Sequence, residues 1–168
     1  IRVEYDPGCY LCPGNARAGG ARNPQYNDVY VFDNDFPALL REQSPAIPTE
    51  PAWMRAEPEQ GICRVICYSP RHDRTLGSLE THQVQRVVDA WVDEVTTLLQ
   101  RPEISYVQVF ENRGAMMGCS NPHPHGQIWA TRSIPNEVAL EDTAQTNYLG
   151  EHGEALLDAV LRDELTLG

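Results

Sequence analysis

Apolar residues recur every three or four positions in one stretch of the chain, from Leu79 to Gln100. This spacing puts them on one face of a helix, so it predicts an amphipathic helix over that range. The apolar positions are Val84, Val87, Val88, Trp91, Val92, Val95, Leu98 and Leu99. Ser78 is a residue type that commonly caps the start of a helix, and Pro102 lies just past the predicted end.

Shorter apolar runs predict four strands. The run over residues 62–68 is β-branched and nearly all apolar, which is typical of a buried strand, and the run over residues 104–110 alternates. The predicted strands are 30–32, 62–68, 104–110 and 123–131. From Glu137 onward, spaced leucines and valines predict one or two further helices. Strands with helices packed on one side make an α+β fold, which we expect to form a single domain over residues 1–168.

The first 28 residues are predicted to form a long ordered loop. Proline, glycine and asparagine are frequent there, and these residues favour turns over helices and strands. A loop of this length without regular structure is uncommon in a compact domain unless a metal or a ligand organises it.

The charge balance excludes several classes of function. The chain has 13 basic and 24 acidic residues, a formal net charge of −11, which argues against binding to nucleic acid. All the basic residues are arginines, so a P-loop lysine and a Schiff-base lysine are excluded. No stretch approaches the ~20 consecutive apolar residues of a membrane helix, and the first residues lack the pattern of an export signal. We expect a cytoplasmic protein without a membrane partner.

Two histidines and a glutamine alternate within the run Asn-Pro-His-Pro-His-Gly-Gln. In an extended strand alternate side chains share a face, so His123, His125 and Gln127 are predicted to lie together. A single isolated histidine is more often a hydrogen-bonded core residue than a functional one. Two histidines at this spacing favour a site instead. Pro122 and Pro124 cannot donate to a sheet ladder, so they predict that this strand lies at an edge.

A metal site is predicted to join this strand to the first loop. Cys9 and Cys12 have the C-x-x-C spacing that places two thiolates at adjacent corners of a tetrahedral zinc site. His72 and His123 are the best candidates for the other two ligands. The alternative is a redox-active dithiol, but that motif normally opens a helix, which Pro13-Gly14 disfavours. The pair Cys63 and Cys67 lacks a turn between its members, so we interpret both as core thiols.

With these residues in view, the sequence resembles the galactose-1-phosphate uridylyltransferases, a branch of the histidine-triad superfamily. The resemblance rests on Cys-x-x-Cys-x-Gly-Asn at the start, Arg-Val-Ile-Cys at residues 64–67 and the run of residues 107–129 with Gly-Cys-Ser-Asn-Pro and His-Pro-His-Gly-Gln. It implies an antiparallel histidine-triad sheet. Hydrolase branches of the superfamily carry a third histidine at the position of Gln127, whereas the transferase branch carries glutamine.

The resemblance implies a catalytic role for two residues. His125 is expected to attack the α-phosphorus of UDP-glucose and to hold UMP as a uridylyl-imidazole, a role that suits a neutral imidazole. Its other ring nitrogen needs a hydrogen-bond acceptor, which the sequence does not identify. Gln127 is expected to donate a hydrogen bond to the phosphoryl oxygens.

The resemblance also implies binding residues. Those expected around the nucleotide and its phosphates are Ala18, Asn34, Asp35, Asn112, Gly118, Cys119 and Ser120. Without the resemblance, Asn34, Asp35 and Asn112 are ordinary turn and loop residues. The implied zinc ligands are Cys9, Cys12, His72 and His123, and Glu141 is expected to bind a second metal, iron, with ligands outside this segment.

At the level of the whole protein, the resemblance implies an enzyme that exchanges UMP between UDP-glucose and galactose 1-phosphate. Members of the family contain a second, related half, and the chain begins with isoleucine, so we expect these 168 residues to be part of a longer protein. A homodimer with shared active sites is also implied. Two alternatives stay open: an enzyme acting on another nucleotide sugar such as ADP-glucose, and a non-catalytic zinc-bearing nucleotide-binding module.

Overall fold

The computed structural model describes residues 3–42, 45, 51, 53, 56–119 and 121–167. Within this part, regular structure consists of four strands, three α-helices and three short 3-10 turns. In chain order the strands and helices are β1 (Tyr30–Asp33), β2 (Gly61–Cys67), α1 (Thr81–Leu99), β3 (Tyr106–Phe110), β4 (His125–Thr131), α2 (Asn136–His152) and α3 (Leu156–Leu167). All four predicted strands and the long helix are present. Residues 3–28 contain only the single 3-10 turn Ala18–Gly20, as predicted for a long ordered loop.

The four strands form one antiparallel sheet in the order β1-β2-β4-β3. β4 is therefore a central strand, and Gln127 pairs with Val65 on one side and with Phe110 on the other. The prediction of an edge strand was wrong. β4 begins at His125, after Pro124, so the ladder needs no N–H group from a proline.

One face of the sheet packs against α1. Alternate residues of β2 and β4, including Ile66 and Ile128, form a buried cluster with Val87 and Leu98 of the helix. All four of these side chains are fully buried. Burying a side chain of this size stabilises a fold by about 1.5–3 kcal/mol, so this cluster accounts for much of the attachment of α1.

The opposite face of the sheet carries the N-terminal loop. Val65 and Cys67 of β2 form a second buried cluster with Leu11 and its two neighbouring cysteines. Three aromatic rings extend this cluster in stacked order, Tyr26 on Tyr30 and Tyr30 on Phe32. Cys63 and Cys67 are both buried, in agreement with their interpretation as core thiols, and burial raises the pKa of Cys67 to about 12.

The start of α1 differs from the prediction. The cap residue is Glu80, and its backbone N–H donates to the side-chain oxygen of Gln83 at 3.0 Å. Ser78, the predicted cap, belongs to the preceding 3-10 turn, where its hydroxyl accepts from the N–H of Thr75 at 2.9 Å. In both arrangements a nearby side-chain oxygen accepts a hydrogen bond from a backbone N–H group that has no partner in the helix. Sequence spacing does not distinguish the two arrangements.

The chain divides into two compact units, Ile1–Ser133 and Ile134–Gly168. The sheet and α1 belong to the first unit, whereas the second contains α2 and α3, so the C-terminal pattern corresponds to two helices. The expectation of a single domain stays a prediction. Among the described residues, none of the helices has the length and hydrophobicity needed to span a membrane.

Candidate active site and metal cluster

Four side chains that can bind a metal meet in the interior of the first unit. Cys9 and Cys12 come from the N-terminal loop, His72 follows β2, and His123 precedes β4. All four are buried, and one ligand atom from each lies within 4.8 Å of the others. The Nδ1 atoms of His72 and His123 lie 3.6 and 3.5 Å from the Cys12 sulfur. The structure thus brings together the four residues that the sequence nominated.

Nε2 of His123, the ring nitrogen that does not face Cys12, has hydrogen-bond partners outside the Cys/His cluster. Nε2 of His123 lies 2.9 Å from the carbonyl oxygen of Ser69 and 3.0 Å from the hydroxyl of Tyr26, which itself donates to the carbonyl of Leu11. Because a carbonyl only accepts, the proton belongs on Nε2, and Nδ1 keeps its lone pair for the cluster. Burial, followed by the neighbouring imidazole of His72, lowers the pKa of His123 to about 4. The ring is neutral at pH 7, as a metal ligand has to be.

The cysteine side of the cluster is also held by hydrogen bonds. The sulfur of Cys9 accepts from the N–H of Leu11 and from the amide of Asn121, each at 3.4 Å. The same Asn121 accepts from the backbone N–H of His123 at 2.9 Å. Burial raises the pKa of Cys12 to about 11, so the thiolate needs a nearby cation. Two sulfurs and two imidazoles in a buried site suit a metal such as zinc.

His125 is the first residue of β4, and its ring is oriented by the backbone. Its Nδ1 lies 2.8 Å from the carbonyl oxygen of His123. The carbonyl accepts, so Nδ1 carries a proton, and in the neutral ring the lone pair is therefore on Nε2. His123 itself lies outside the strand and contributes its side chain to the cluster of two cysteines and two histidines. The prediction of three polar residues on one strand face therefore holds only for His125 and Gln127, because the strand begins two residues later than expected.

A cavity of about 480 Å³ opens in front of His125 and Gln127. Both side chains lie on the sheet face opposite α1. Ile128 and Ala130, which alternate with them along β4, belong to the buried cluster that packs against α1. The side-chain oxygen of Gln127 accepts from the indole N–H of Trp129 at 3.3 Å. The amide therefore has its oxygen occupied within the protein.

Three of the residues implied for the nucleotide line the same cavity, namely Ala18, Asn34 and Asp35. Arg17 lies beside them, with its guanidinium carbon 3.9 Å from the centre of the Phe32 ring. Its Nη1 is 3.8 Å from a carboxylate oxygen of Asp35. A concave surface that combines an aromatic wall, a carboxylate and an arginine is suited to a polar ring with hydroxyl groups.

The other implied phosphate-binding residues are not all gathered there. Cys119 lines a second cavity of about 310 Å³ that also reaches His125. Asn112 directly follows β3, and Gly118 adopts a left-handed conformation with φ of 78°, but neither lines one of these two cavities. Ser120 lies outside the described residues.

Glu141 lies on α2 and is exposed. It belongs to the second unit and is not one of the two cysteines and two histidines described above. One exposed carboxylate is not a metal site by itself. The iron site stays a prediction.

Comparison with known proteins identifies the family. The family model described as "Galactose-1-phosphate uridyl transferase, N-terminal domain" matches residues 2–135. The chain belongs to this family. The galactose-1-phosphate uridylyltransferase of Haemophilus influenzae is 46% identical over 99% of the chain and 47% of its own length. That of Rattus norvegicus is 42% identical over 92% of the chain and 40% of its own length. The chain spans about half the length of the curated relatives it matches, and the resemblance stated from the sequence is confirmed.

Solved structures share the fold of this uridyl transferase domain. A uridylyltransferase structure superposes with a TM-score of 0.78 at 22% identity, over 96% of this chain and 51% of that chain. An ADP-glucose phosphorylase from Arabidopsis thaliana, solved with bound ADP-glucose, gives a TM-score of 0.66 at 24% identity, over 90% of this chain and 47% of that chain. These likenesses confirm the α+β fold class.

Several side chains around the site were not predicted from the sequence to have a role there. Asn121, Tyr26 and Trp129 each donate a hydrogen bond that orients a neighbouring group. Arg17 covers an aromatic ring at the wall of the larger cavity. Of these, only Trp129 had a signal: two residues beyond Gln127, it falls on the same face of the strand.

Proposed function

We propose that the protein containing this chain transfers UMP between UDP-glucose and galactose 1-phosphate through a covalent uridylyl-histidine. The single observation that carries the mechanism is the hydrogen bond from Nδ1 of His125 to the carbonyl of His123. It supports the tautomer in which Nδ1 carries the proton of the neutral ring and Nε2 is left for the substrate in the cavity. The names of the relatives support the choice of substrates.

In the first half-reaction, the lone pair of Nε2 on His125 forms a bond to the α-phosphorus of UDP-glucose. The bond from that phosphorus to the bridging oxygen breaks, and its electron pair leaves with glucose 1-phosphate. The second pKa of a phosphate monoester is about 6, so this leaving group needs little protonation at pH 7. The proton on Nδ1 stays in its hydrogen bond with His123 throughout.

In the second half-reaction, a phosphate oxygen of galactose 1-phosphate forms a bond to the same phosphorus. The electron pair of the P–N bond returns to His125, and UDP-galactose is released. Gln127 supports both steps by donating its amide N–H groups to the non-bridging phosphoryl oxygens, where negative charge develops. A side-chain amide cannot protonate a leaving group at pH 7, and this chemistry does not require it to.

We propose zinc as the metal held by Cys9, Cys12, His72 and His123. When bound, it would cross-link the N-terminal loop to the residues that follow β2 and precede β4, and would supply the positive charge that buried thiolates need. His123 then has two functions, since its ring belongs to the cluster and its carbonyl holds the ring of His125. Anchoring the ring keeps the carbonyl in place.

For the whole protein, we propose a cytoplasmic homodimer with active sites shared between subunits, as the resemblance implies. Iron at Glu141, with ligands outside this segment, belongs to the same proposal. Sedimentation of the full-length protein measures its mass in solution, and a monomer at working concentration contradicts the homodimer. No step of the chemistry above depends on these assignments.

The experiment that tests the function follows label from UDP-glucose carrying ³²P at the α-position. In the full-length protein we expect the label to become attached to His125 and to leave when galactose 1-phosphate is added. His125→Gly is expected to abolish both labelling and turnover. His82→Gly is the matched control, because His82 is exposed near the start of α1, and it is expected to label normally.

Parallel reactions with ADP-glucose distinguish the closest alternative. Faster labelling from ADP-glucose indicates a related enzyme for adenine nucleotides, and no labelling from either sugar nucleotide favours a non-catalytic nucleotide-binding module. Label that remains on the His125→Gly variant contradicts the assignment of the nucleophile.

A further inference from the structure

We propose that Trp129 is a positioning residue that determines which end of the Gln127 amide faces the substrate cavity. The inference rests on the proposed function, because it concerns the group that contacts the phosphoryl oxygens. Its basis is a contact between two neighbouring side chains on the same face of β4.

The contact has a direction. An indole N–H can only donate, and at 3.3 Å it meets the oxygen of the Gln127 amide. The NH₂ end of Gln127 donates no hydrogen bond to another residue in the described part of the chain. Since Gln127 lines the cavity of about 480 Å³ together with His125, its unused N–H groups are available to a ligand there.

Trp129 is itself held in place. It lies in the middle of the sheet, paired with Cys63 on β2 and with Gln108 on β3. Its ring meets the ring of Phe110 edge to face, with centroids 5.5 Å apart and an interplanar angle of 82°. Phe110 pairs with Gln127 in the same ladder, so the indole, the phenyl ring and the amide are fixed relative to one another.

The orientation matters because the two ends of an amide have nearly the same shape but opposite hydrogen-bonding roles. With its oxygen bound to Trp129, Gln127 offers donors to an anionic phosphoryl group. Rotated by half a turn, it would offer a carbonyl oxygen to the same anion and repel it. The indole N–H therefore removes the unproductive arrangement without touching the substrate.

The test removes the N–H group and keeps the ring. Trp129→Phe in the full-length protein is expected to lower the single-turnover rate of uridylylation by about 2- to 10-fold, the range of one neutral hydrogen bond. The KM for UDP-glucose is expected to stay within about 2-fold, because the effect is greatest when charge develops. Replacing Trp129 by β-(3-benzothienyl)alanine, which has sulfur in place of the N–H, is expected to give the same result with ring size preserved.

Trp91→Phe is the matched control. Trp91 packs edge to face against Tyr68, and its indole nitrogen is buried with no hydrogen-bond partner in the described part of the chain. We expect it to leave the rate of uridylylation unchanged. If Trp129→Phe fails to fold, as judged by its unfolding temperature, the benzothienyl variant decides the question.

A double-mutant cycle separates positioning from a structural role. In a Gln127→Ala background there is no amide to orient, so Trp129→Phe is expected to have no further effect on the rate. An equal loss in both backgrounds, or an unchanged rate in both Trp129 variants of an active protein, overturns the inference alone. A wild-type protein that is not uridylylated overturns the proposed function and this inference together.

Discussion

At the residue scale, the site depends on directional hydrogen bonds more than on charge. A backbone carbonyl fixes the proton of His125 on Nδ1, and an indole N–H takes the oxygen of Gln127. Each partner can act in only one way, as acceptor or as donor. In the part of the chain that the structure describes, His125 and Gln127 are therefore oriented toward the cavity without a hydrogen bond to a carboxylate.

Gln127→His tests the residue that, according to the resemblance, separates the transferase branch from the hydrolases. The change introduces a proton donor and loses the amide, and misplacing one preorganised donor typically costs about 10²–10³ in rate. We expect transfer to galactose 1-phosphate to fall by that factor and UMP to be released to water. The measurement compares UDP-galactose formed with UMP released.

The control for this change is Gln85→His, which makes the same substitution at an exposed position of α1 outside both cavities at His125. It is expected to transfer UMP at the normal rate. An unchanged transfer rate in Gln127→His itself is the contrary outcome, and it assigns Gln127 a purely structural role.

At the element scale, β4 is paired with β2 and β3, and the side chain of Tyr68 lies close to Gly126 of β4. A Cβ on Gly126 would lie 2.1 Å from the Tyr68 hydroxyl and 2.9 Å from the carbonyl oxygen of Phe110. The first atom belongs to a buried side chain and the second to the backbone of β3. Gly126 therefore allows the side chain of Tyr68, which directly follows β2, and the backbone of β3 to approach β4 closely.

Gly126→Ala is expected to destabilise the fold by about 1–3 kcal/mol, the usual cost of overpacking a tight interior. Denaturant unfolding measures the change. Gly77→Ala is the control, because a Cβ there meets nothing within 4 Å, and it is expected to unfold like the wild type. Equal stability of the two variants contradicts the close packing described for β4.

The N-terminal loop is the element that we expect to depend on metal. We expect one zinc per chain, and chelation is expected to expose the Arg17 and Arg22 peptide bonds to trypsin because metal binding and loop order are coupled. Cys12→Ala is expected to lose the zinc. Cys63→Ala, which removes an equally buried thiol outside the cluster, is expected to keep it. Zinc retained by Cys12→Ala, measured by elemental analysis, contradicts the assignment.

At the scale of the whole molecule, local patterns predicted most of the elements but not their arrangement. The helical spacing of residues 79–100 and the apolar run of residues 62–68 identified α1 and β2 because both signals are local. The central place of β4 depends on pairing with β2 and β3, which are distant in sequence. Proline suggested an edge only because the start of the strand was placed two residues too early.

In the candidate site, too, some residues could be predicted from local sequence patterns and others could not. Cysteine and histidine have few common roles when buried together, so the four cluster residues could be nominated from spacing and residue type. Asn121 could not be, because amides occur throughout folded proteins and its role here depends on orientation. For Trp129 the spacing indicated the strand face but not the hydrogen bond to Gln127. The acceptor for His125 is a backbone carbonyl, which no side-chain pattern reveals.

The double use of His123 has a consequence for how the protein responds to its supply of metal. His123 contributes its ring to the Cys/His cluster, and its backbone carbonyl oxygen lies 2.8 Å from Nδ1 of His125. On the proposed function, a chain without the metal keeps His125 and Gln127 but holds the imidazole of His125 loosely. Protein made without metal is then expected to be uridylylated slowly, and metal added afterwards is expected to restore the rate without new synthesis.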